Sequence, residues 1–375
     1  MAELDGENVP AYRMVRVTAP EAPVAALADV EAWRARESYP EILLAGGPVF
    51  GVVRESEKGG WEVVSSFSGL APQDARDDMG CQFRKLAQEA EKDGDMAAYE
   101  ECEAAAKRTD WETVDELTVL GVRYRVARAE RFIRSGRQGP EPPRPTDVDP
   151  AKPGESHKIR DSERGMVIDP FTATGMSEGI LKVELLALVR KAGTVPHDVR
   201  EDSLHAAQTH PGGVLLPAAF GTAEKEYGYW RPDSTGTSST PQGARDTLAM
   251  SMRVMIPWQL HLGREERVPY MEAADRLDEE RGNELKVAGR EFRVVRIERL
   301  VRIGPDGPEG PRPSDPDPQP PVMVQDQQLR EQGVVTDDED EDAPVELDED
   351  TRRLAALFKE EEARRDGKGS DGNPG

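Results

Sequence analysis

A chain of 375 residues is long enough for two or three domains, and a hydrophobic share of 37% can supply their cores. The net charge of −24, with 17 acids against 7 bases in residues 321–375, argues against broad nucleic-acid binding, which needs a basic footprint. No apolar run reaches the roughly 18 residues of a membrane span. The N-terminal stretch MAELDGENVPAYRMV has no basic region leading into an apolar one, so the expectation is a soluble cytoplasmic protein with no membrane contact.

In chain order, AYRMVRV (11–17) alternates like a strand. PEAPVAALADVEAWRARE follows as a helix, with Thr18 in its capping region. Residues 50–67 read as a hairpin turning at Lys58, Gly59 and Gly60. A helix then opens at Pro72, and Met79, Phe83, Leu86 and Ala90 give it one apolar face. DMAAYEECEAAAKRTD is a further helix, and residues 116–136 form a second hairpin with its turn near Leu120 and Gly121. The two cysteines, Cys81 and Cys102, fall in these helices and read as reduced, small hydrophobic residues.

The chain then repeats itself. Shifted by 168 residues, 116–150 aligns with 284–318 without a gap, and 20 of the 35 pairs are identical. PQDARD (72–77) matches PQGARD (241–246), and Trp61 matches Trp230, at a shift of 169. In the second copy the helix start is Thr240 and Pro241, and the hairpin turn is Ala288 and Gly289. The expected unit is β-α-ββ-αα-ββ, an α+β fold with antiparallel or mixed sheets, duplicated in tandem. The expected boundaries are 10–150 for the first unit, 151–165 for a connector and 166–320 for the second unit. An acidic disordered tail, 321–375, follows, with a possible short helix at 350–365 that could dock on a groove of this or another protein.

The best-matched region carries the candidate site. On the last strand of each copy, residues two apart share a face. Arg128, Glu130 and Arg134 therefore form one ladder, and Arg296, Glu298 and Arg302 another. Each strand runs into a proline–glycine–charge phrase, GRQGPEPPRPTDVDP (136–150) and GPDGPEGPRPSDPDP (304–318). The phrases contribute Arg144 and Asp147, and Arg312 and Asp315. Arginine forks suit carboxylates and phosphates, so the ladders are either an anion- or partner-binding surface or cross-strand ion pairs. The phrases are either structural straps docked on the hairpin, linkers or recognition segments. His197, His205 and His210 lie close in sequence, but their spacing is no zinc pattern. TATGMSEGILK (172–182) is not a phosphate-binding loop, and no motif implies a cofactor, a metal or a catalytic residue.

The pieces ERFIRSGRQGPEPPRPTDVDP, TATGMSEGILK, HPGGVLLPAAFGTAE and ERLVRIGPDGPEGPRPSDPDPQPP resemble an uncharacterised actinobacterial, Streptomyces-type family known only as a domain of unknown function. That resemblance implies no activity, cofactor or site residue. The leading expectation is a non-enzymatic interaction or regulatory protein that binds protein partners. The alternative is a binding protein or enzyme for an anionic small molecule, with its site between the two units. The sequence leaves the oligomeric state open.

Overall fold

The computed structural model describes residues 13–159, 162–233, 236–333 and 348–370, with side chains to 365. The expected disordered run at 336–350 lies outside the described residues up to 347.

The first α-helix of the described residues is α1 (Pro23–Ser38), capped by the backbone of Ala22 and not at Thr18. Proline at the first turn fixes this start, because the residue before a proline is pushed out of the helical region. The described part of the strand expected at 11–17 forms only one bridge, Val17 to Thr174. β1 (Glu41–Leu44) is followed by the expected hairpin of β2 (Val49–Glu55) and β3 (Trp61–Gly69). The helical pair is α2 (Pro72–Asp93) and α3 (Met96–Trp111). Gly94 ends α2 in the left-handed conformation, and Asp95 caps α3 by accepting from the Ala98 N–H at 3.0 Å. β4 (Glu116–Val119) turns into the long β5 (Val122–Gly136), and the first phrase begins with the short β6 (Gly139–Pro140).

The next elements are β7 (Val167–Ile168), α4 (Met176–Ala187) and α5 (His197–Thr209). The apolar run at 214–221 is split into β8 (Gly212–Leu215) and β9 (Ala219–Glu226), because Pro217 has no N–H to give to a ladder. After β10 (Tyr229–Pro232), α6 (Pro241–Met250) begins as expected, with Thr240 accepting from the Gly243 N–H at 3.1 Å. It then widens into a π turn at Ser251–Met255, in which the Ile256 N–H bonds back to the Ser251 carbonyl. Pro257 follows in α7 (Ile256–Gln259), where its missing N–H breaks the regular helical bonding. α8 (Val268–Glu280), β11 (Glu284–Val287), β12 (Arg290–Gly304), β13 (Gly307–Pro308), α9 (Val322–Glu331) and α10 (Glu349–Ser370) complete the described chain.

The fold is mixed α and β, with a large sheet whose ladders are antiparallel. The chain divides into two compact units that are not contiguous halves. Unit 1 holds Met1–Phe132, Asp161–Ala218 and Glu298–Asp337; unit 2 holds Ile133–Arg160, Ala219–Ile297 and Asp338–Gly375. Each unit therefore contains the phrase that follows the other unit's hairpin in sequence.

In unit 1, β3 pairs with β2, β2 with β5, and β5 with the last part of β12. One apolar cluster joins Val49, Val53, Trp61, Phe67, Ile168 and Val301. On α2 and α3, Met79, Phe83, Ala87 and Cys102 pack against Phe50, Val52 and Val126. Phe83 meets Tyr124 edge-on at 5.1 Å. Leu86 packs on this cluster from a partly buried position, and Ala87 sits closer to its centre than the expected Ala90. In unit 2, β10 pairs with β9, β9 with the first part of β12, and β11 with β12, while α6 and α8 pack together.

Candidate functional site

The second phrase straps onto unit 1. At its start β13 pairs with the end of β12, and the Arg128 N–H donates to the Glu309 carbonyl at 2.8 Å. Arg128 then donates through Nε and Nη2 to Asp315 at 2.8 and 3.0 Å, and through Nη1 to Glu130 at 2.8 Å. Arg312 bonds Glu309 at 2.6 Å and Glu130 at 3.1 Å, and its backbone N–H donates to Asp315 at 2.7 Å. Arg190 also reaches Glu130, at 3.2 Å. Burial alone would raise the Glu130 carboxyl, but Arg128, Arg190 and Arg312 outweigh it and hold it down at about 2. Arg302 spends its donors on the carbonyls of Leu186 and Leu188, at 2.9 and 3.2 Å. Burial lowers the affinity of its guanidinium for a proton. Glu298 is buried as well.

The first phrase makes the corresponding bonds in unit 2. The Arg296 N–H donates to the Glu141 carbonyl at 2.9 Å, and Arg296 Nε donates to Asp147 at 3.1 Å. Arg144 bonds Glu141 at 2.6 Å, and its backbone N–H donates to Asp147 at 2.7 Å. The Glu141 N–H bonds the carbonyl of Arg134, whose side chain is buried.

Both phrases end on a helix start. Asp317 accepts from the Gln73 N–H at 3.1 Å and from Arg76 at 2.5 Å, at the first turn of α2. Asp149 accepts from the Gln242 N–H at 2.8 Å and from Arg245 at 2.7 Å, at the first turn of α6. A carboxylate there meets free N–H groups and the positive end of the helix dipole.

The turns that begin the phrases each cover a tryptophan. Gly139 (φ +100°) lies against Trp230, and Gly307 (φ +108°) against Trp61. Arg293 stacks on Trp230 at 4.8 Å, and Arg125 stacks on Trp61 at 4.9 Å.

The structure thus brings Arg128, Glu130, Arg312 and Asp315 into one network, and Arg144, Asp147 and Arg296 into another. Arg128 and Asp315 side chains are 3% and 4% exposed, so this is a desolvated ion pair and not an open surface. The histidine-bearing segment, which has no counterpart histidines in the first copy, contributes little chemistry. His197 pairs with Glu201 at 3.5 Å on an exposed helix face, and burial lowers His210. Among the described residues, no three histidine, cysteine or acidic side chains come together as a metal site.

Sequence reasoning missed a second constellation, in unit 2. Arg253, in the π turn, is 2% exposed and donates to Asp275 and Asp278 at 2.9 and 2.7 Å. The helix α10 lies here. Its Glu361 approaches Arg253 at 3.7 Å and binds Arg364 and Arg365, its Glu360 pairs with Arg267 at 3.0 Å, and its Leu357 is buried. A cavity of about 600 Å³ opens beside it, lined in part by Lys158, Asp246, Asp278, Arg364 and Arg365. Two sequence signals bear on this region: Pro257, which falls inside an otherwise helical pattern, and the docking helix expected at 350–365, where α10 (Glu349–Ser370) lies.

A family profile described as a family of unknown function (DUF5954) matches residues 22–363. The chain belongs to this family. No curated protein and no solved structure matches it. The DUF5954 match takes in both phrases, both hairpins and α10 up to Arg253's partner Glu361. Among the described residues, no helix is long and apolar enough to cross a membrane.

Proposed function

We propose that the protein is a non-enzymatic interaction or regulatory protein, and that α10 with the acidic segment around it is the part offered to a basic protein partner. One observation carries this reading: the way α10 is held. Among its described residues, Leu357 is the one buried apolar side chain, and the remaining attachments are ion pairs and a few polar contacts. Burying one leucine contributes about 1.5–3 kcal/mol. Exposed ion pairs such as Arg267 to Glu360 add about 0–1 kcal/mol each, and the buried pair of Glu361 with Arg253 is long at 3.7 Å and leaves Arg253 with Asp275 and Asp278 when the helix departs. Such a helix docks reversibly, and the net charge of −24 favours a basic competitor. The ladder arginines are already engaged by carboxylates and main-chain carbonyls, which supports strap attachment over capture of an anionic ligand.

This reading includes the duplication. The matched bonds of Asp315 with Arg128 and Asp147 with Arg296, and of Asp317 and Asp149 with their helices, support a tandem repeat whose straps are exchanged. Arginine outnumbers lysine 37 to 12, in keeping with the actinobacterial source implied by the resemblance.

The test is an oligolysine titration of the full chain at low salt, with amide hydrogen exchange read at residues 349–365. The proposal expects binding, with exchange at these residues rising as the peptide is added. Absence of binding, or binding that leaves exchange there unchanged, overturns it.

A further inference from the structure

On β5 and β12, the side chains between the ladder residues point to the other face of the sheet. There Arg131 and Arg299 stand directly opposite each other as a cross-strand pair within unit 1. Both are buried, at 3% and 2% exposure. Like charges so placed repel, and a desolvated charge with no opposite charge beside it is costly. Arg299 has its carboxylate: Nη2 lies 2.5 Å from Glu163, which is itself buried, and also donates to the Pro217 carbonyl at 2.6 Å.

Arg131 sits in the same frame without that carboxylate. The Ala45 N–H donates to the Arg131 carbonyl at 3.0 Å, as the Leu216 N–H does to the carbonyl of Arg299. Arg131 Nε donates to the Gly47 carbonyl at 2.9 Å, matching the bond of Arg299 to Pro217. Among the described residues this is the one side-chain hydrogen bond of Arg131, and no carboxylate comes within ion-pair reach of it. Burial, and after it the charge of Arg299, lowers the affinity of the Arg131 guanidinium for its proton, with no acidic side chain working the other way. The repeat identifies the counterpart of Glu163. ERGMVID (163–169) and EQGVVTD (331–337) match at the shift of 168, which pairs Glu163 with Glu331. Glu331 lies exposed at the end of α9, where it accepts from Gln327 at 2.8 Å.

We propose that Arg131 is a binding site for the carboxylate group of a separate small molecule. The twin position shows the chemistry: Arg131 and Arg299 share face, strand pairing and loop contacts, and Arg299 holds a carboxylate in a buried setting. A planar guanidinium with both Nη groups uncommitted suits the fork of a carboxylate better than a spherical ion. Access is through the loop between β1 and β2. Gly46 and Gly47 are exposed, and a side chain at Gly47 would meet nothing within 4 Å. The carbonyl that Arg131 holds therefore belongs to a surface loop, and the guanidinium lies just beneath it.

The experiment uses the full chain, with formate as the probe and chloride at equal ionic strength as the control. The melting temperature should rise with formate and level off, by about 2–4 °C, while chloride gives a much smaller rise. Amide exchange should slow at residues 45–49 and 129–133. Arg131→Met removes a buried charge that lacks a partner, so it should fold and lose the formate response. Arg131→Lys keeps the charge without the fork and should bind formate about fivefold more weakly, or worse. Glu331→Gln should respond as the wild type does. A response seen only in Glu331→Gln would give the site to the chain's own carboxylate and overturn the proposal. Equal effects of formate and chloride, no slowing at 45–49 and 129–133, or an unchanged response in Arg131→Met would overturn it as well. None of these readouts depends on α10, so this test and that of the interaction reading fail separately.

Discussion

Asp315→Ala probes the exchanged straps most directly. In sequence, Asp315 belongs with the second hairpin; in the structure, its carboxylate holds Arg128 in unit 1. The substitution removes two Arg128 bonds and the acceptor for the Arg312 N–H. It leaves a guanidinium that is 3% exposed with Glu130 as its remaining carboxylate partner. Breaking a buried ion pair from one side costs about 3–5 kcal/mol, and the surviving bond to Glu130 places this variant near 3. At 1.4 kcal/mol per decade, opening in unit 1 should become about a hundredfold more frequent. Hydrogen exchange with mass spectrometry reads this directly. Protection should fall in β2, α2 and β5 up to residue 132, and much less in β9, α6 and β11. Loss of protection confined to residues 219–297 would show that the phrase serves its own hairpin and would refute the reasoning.

Gly307→Ala and Gly139→Ala place a methyl group against Trp61 and Trp230, within 2.6 Å of Cε2 and 2.5 Å of Cδ1 respectively, on a backbone with φ above +100° or at it. Strain and overpacking together should cost about 2–5 kcal/mol in denaturant unfolding, whereas Gly121→Ala, with nothing near its Cβ, should cost about 1–2. The Glu130 carboxyl is held at about 2, below its ordinary value of 4.5, so its contribution is present above pH 4.5 and fades as pH falls towards 2. Urea unfolding of the wild type and of Glu130→Gln should therefore differ by about 3 kcal/mol at pH 6 and converge only as the pH falls through about 2; a gap independent of pH would contradict the assignment. A thiol reagent should modify exposed Cys81 in the folded chain and spare Cys102, which is buried and whose thiol is pushed up by that burial.

What the sequence disclosed was local. The β2–β3 hairpin and the α2–α3 pair follow from glycine turns and helical spacing. The turns at Leu120–Gly121 and Ala288–Gly289 fall where both residues have positive φ, at +51° and +75° and at +50° and +77°. The ladders were also visible as patterns, since Arg128 and Glu130 do share a face. Their partners were not visible, because an Arg–Glu–Arg alternation reads the same whether it faces solvent or lies under a strap. The cavity and the α10 platform were hidden for another reason. Both depend on the π turn, which moves side chains off the 3.6-residue period by which a helix face is read.

The exchange of straps has a physical origin in strand length. β5 and β12 are each 15 residues long, about 50 Å at ~3.3 Å per residue, against ~17–20 Å for an ordinary strand. β5 begins in unit 1 and ends in unit 2, and β12 does the reverse. The turns after them are tight: Ser135 pairs with Pro140, and Ile303 with Pro308. Each phrase is thus folded back onto the unit in which its strand ends. The two phrases offer nearly the same donors and acceptors, so side-chain chemistry alone does not choose between crossed and uncrossed docking. Connectivity chooses, and a substitution in either phrase is expected to weaken the unit that its own hairpin does not begin in.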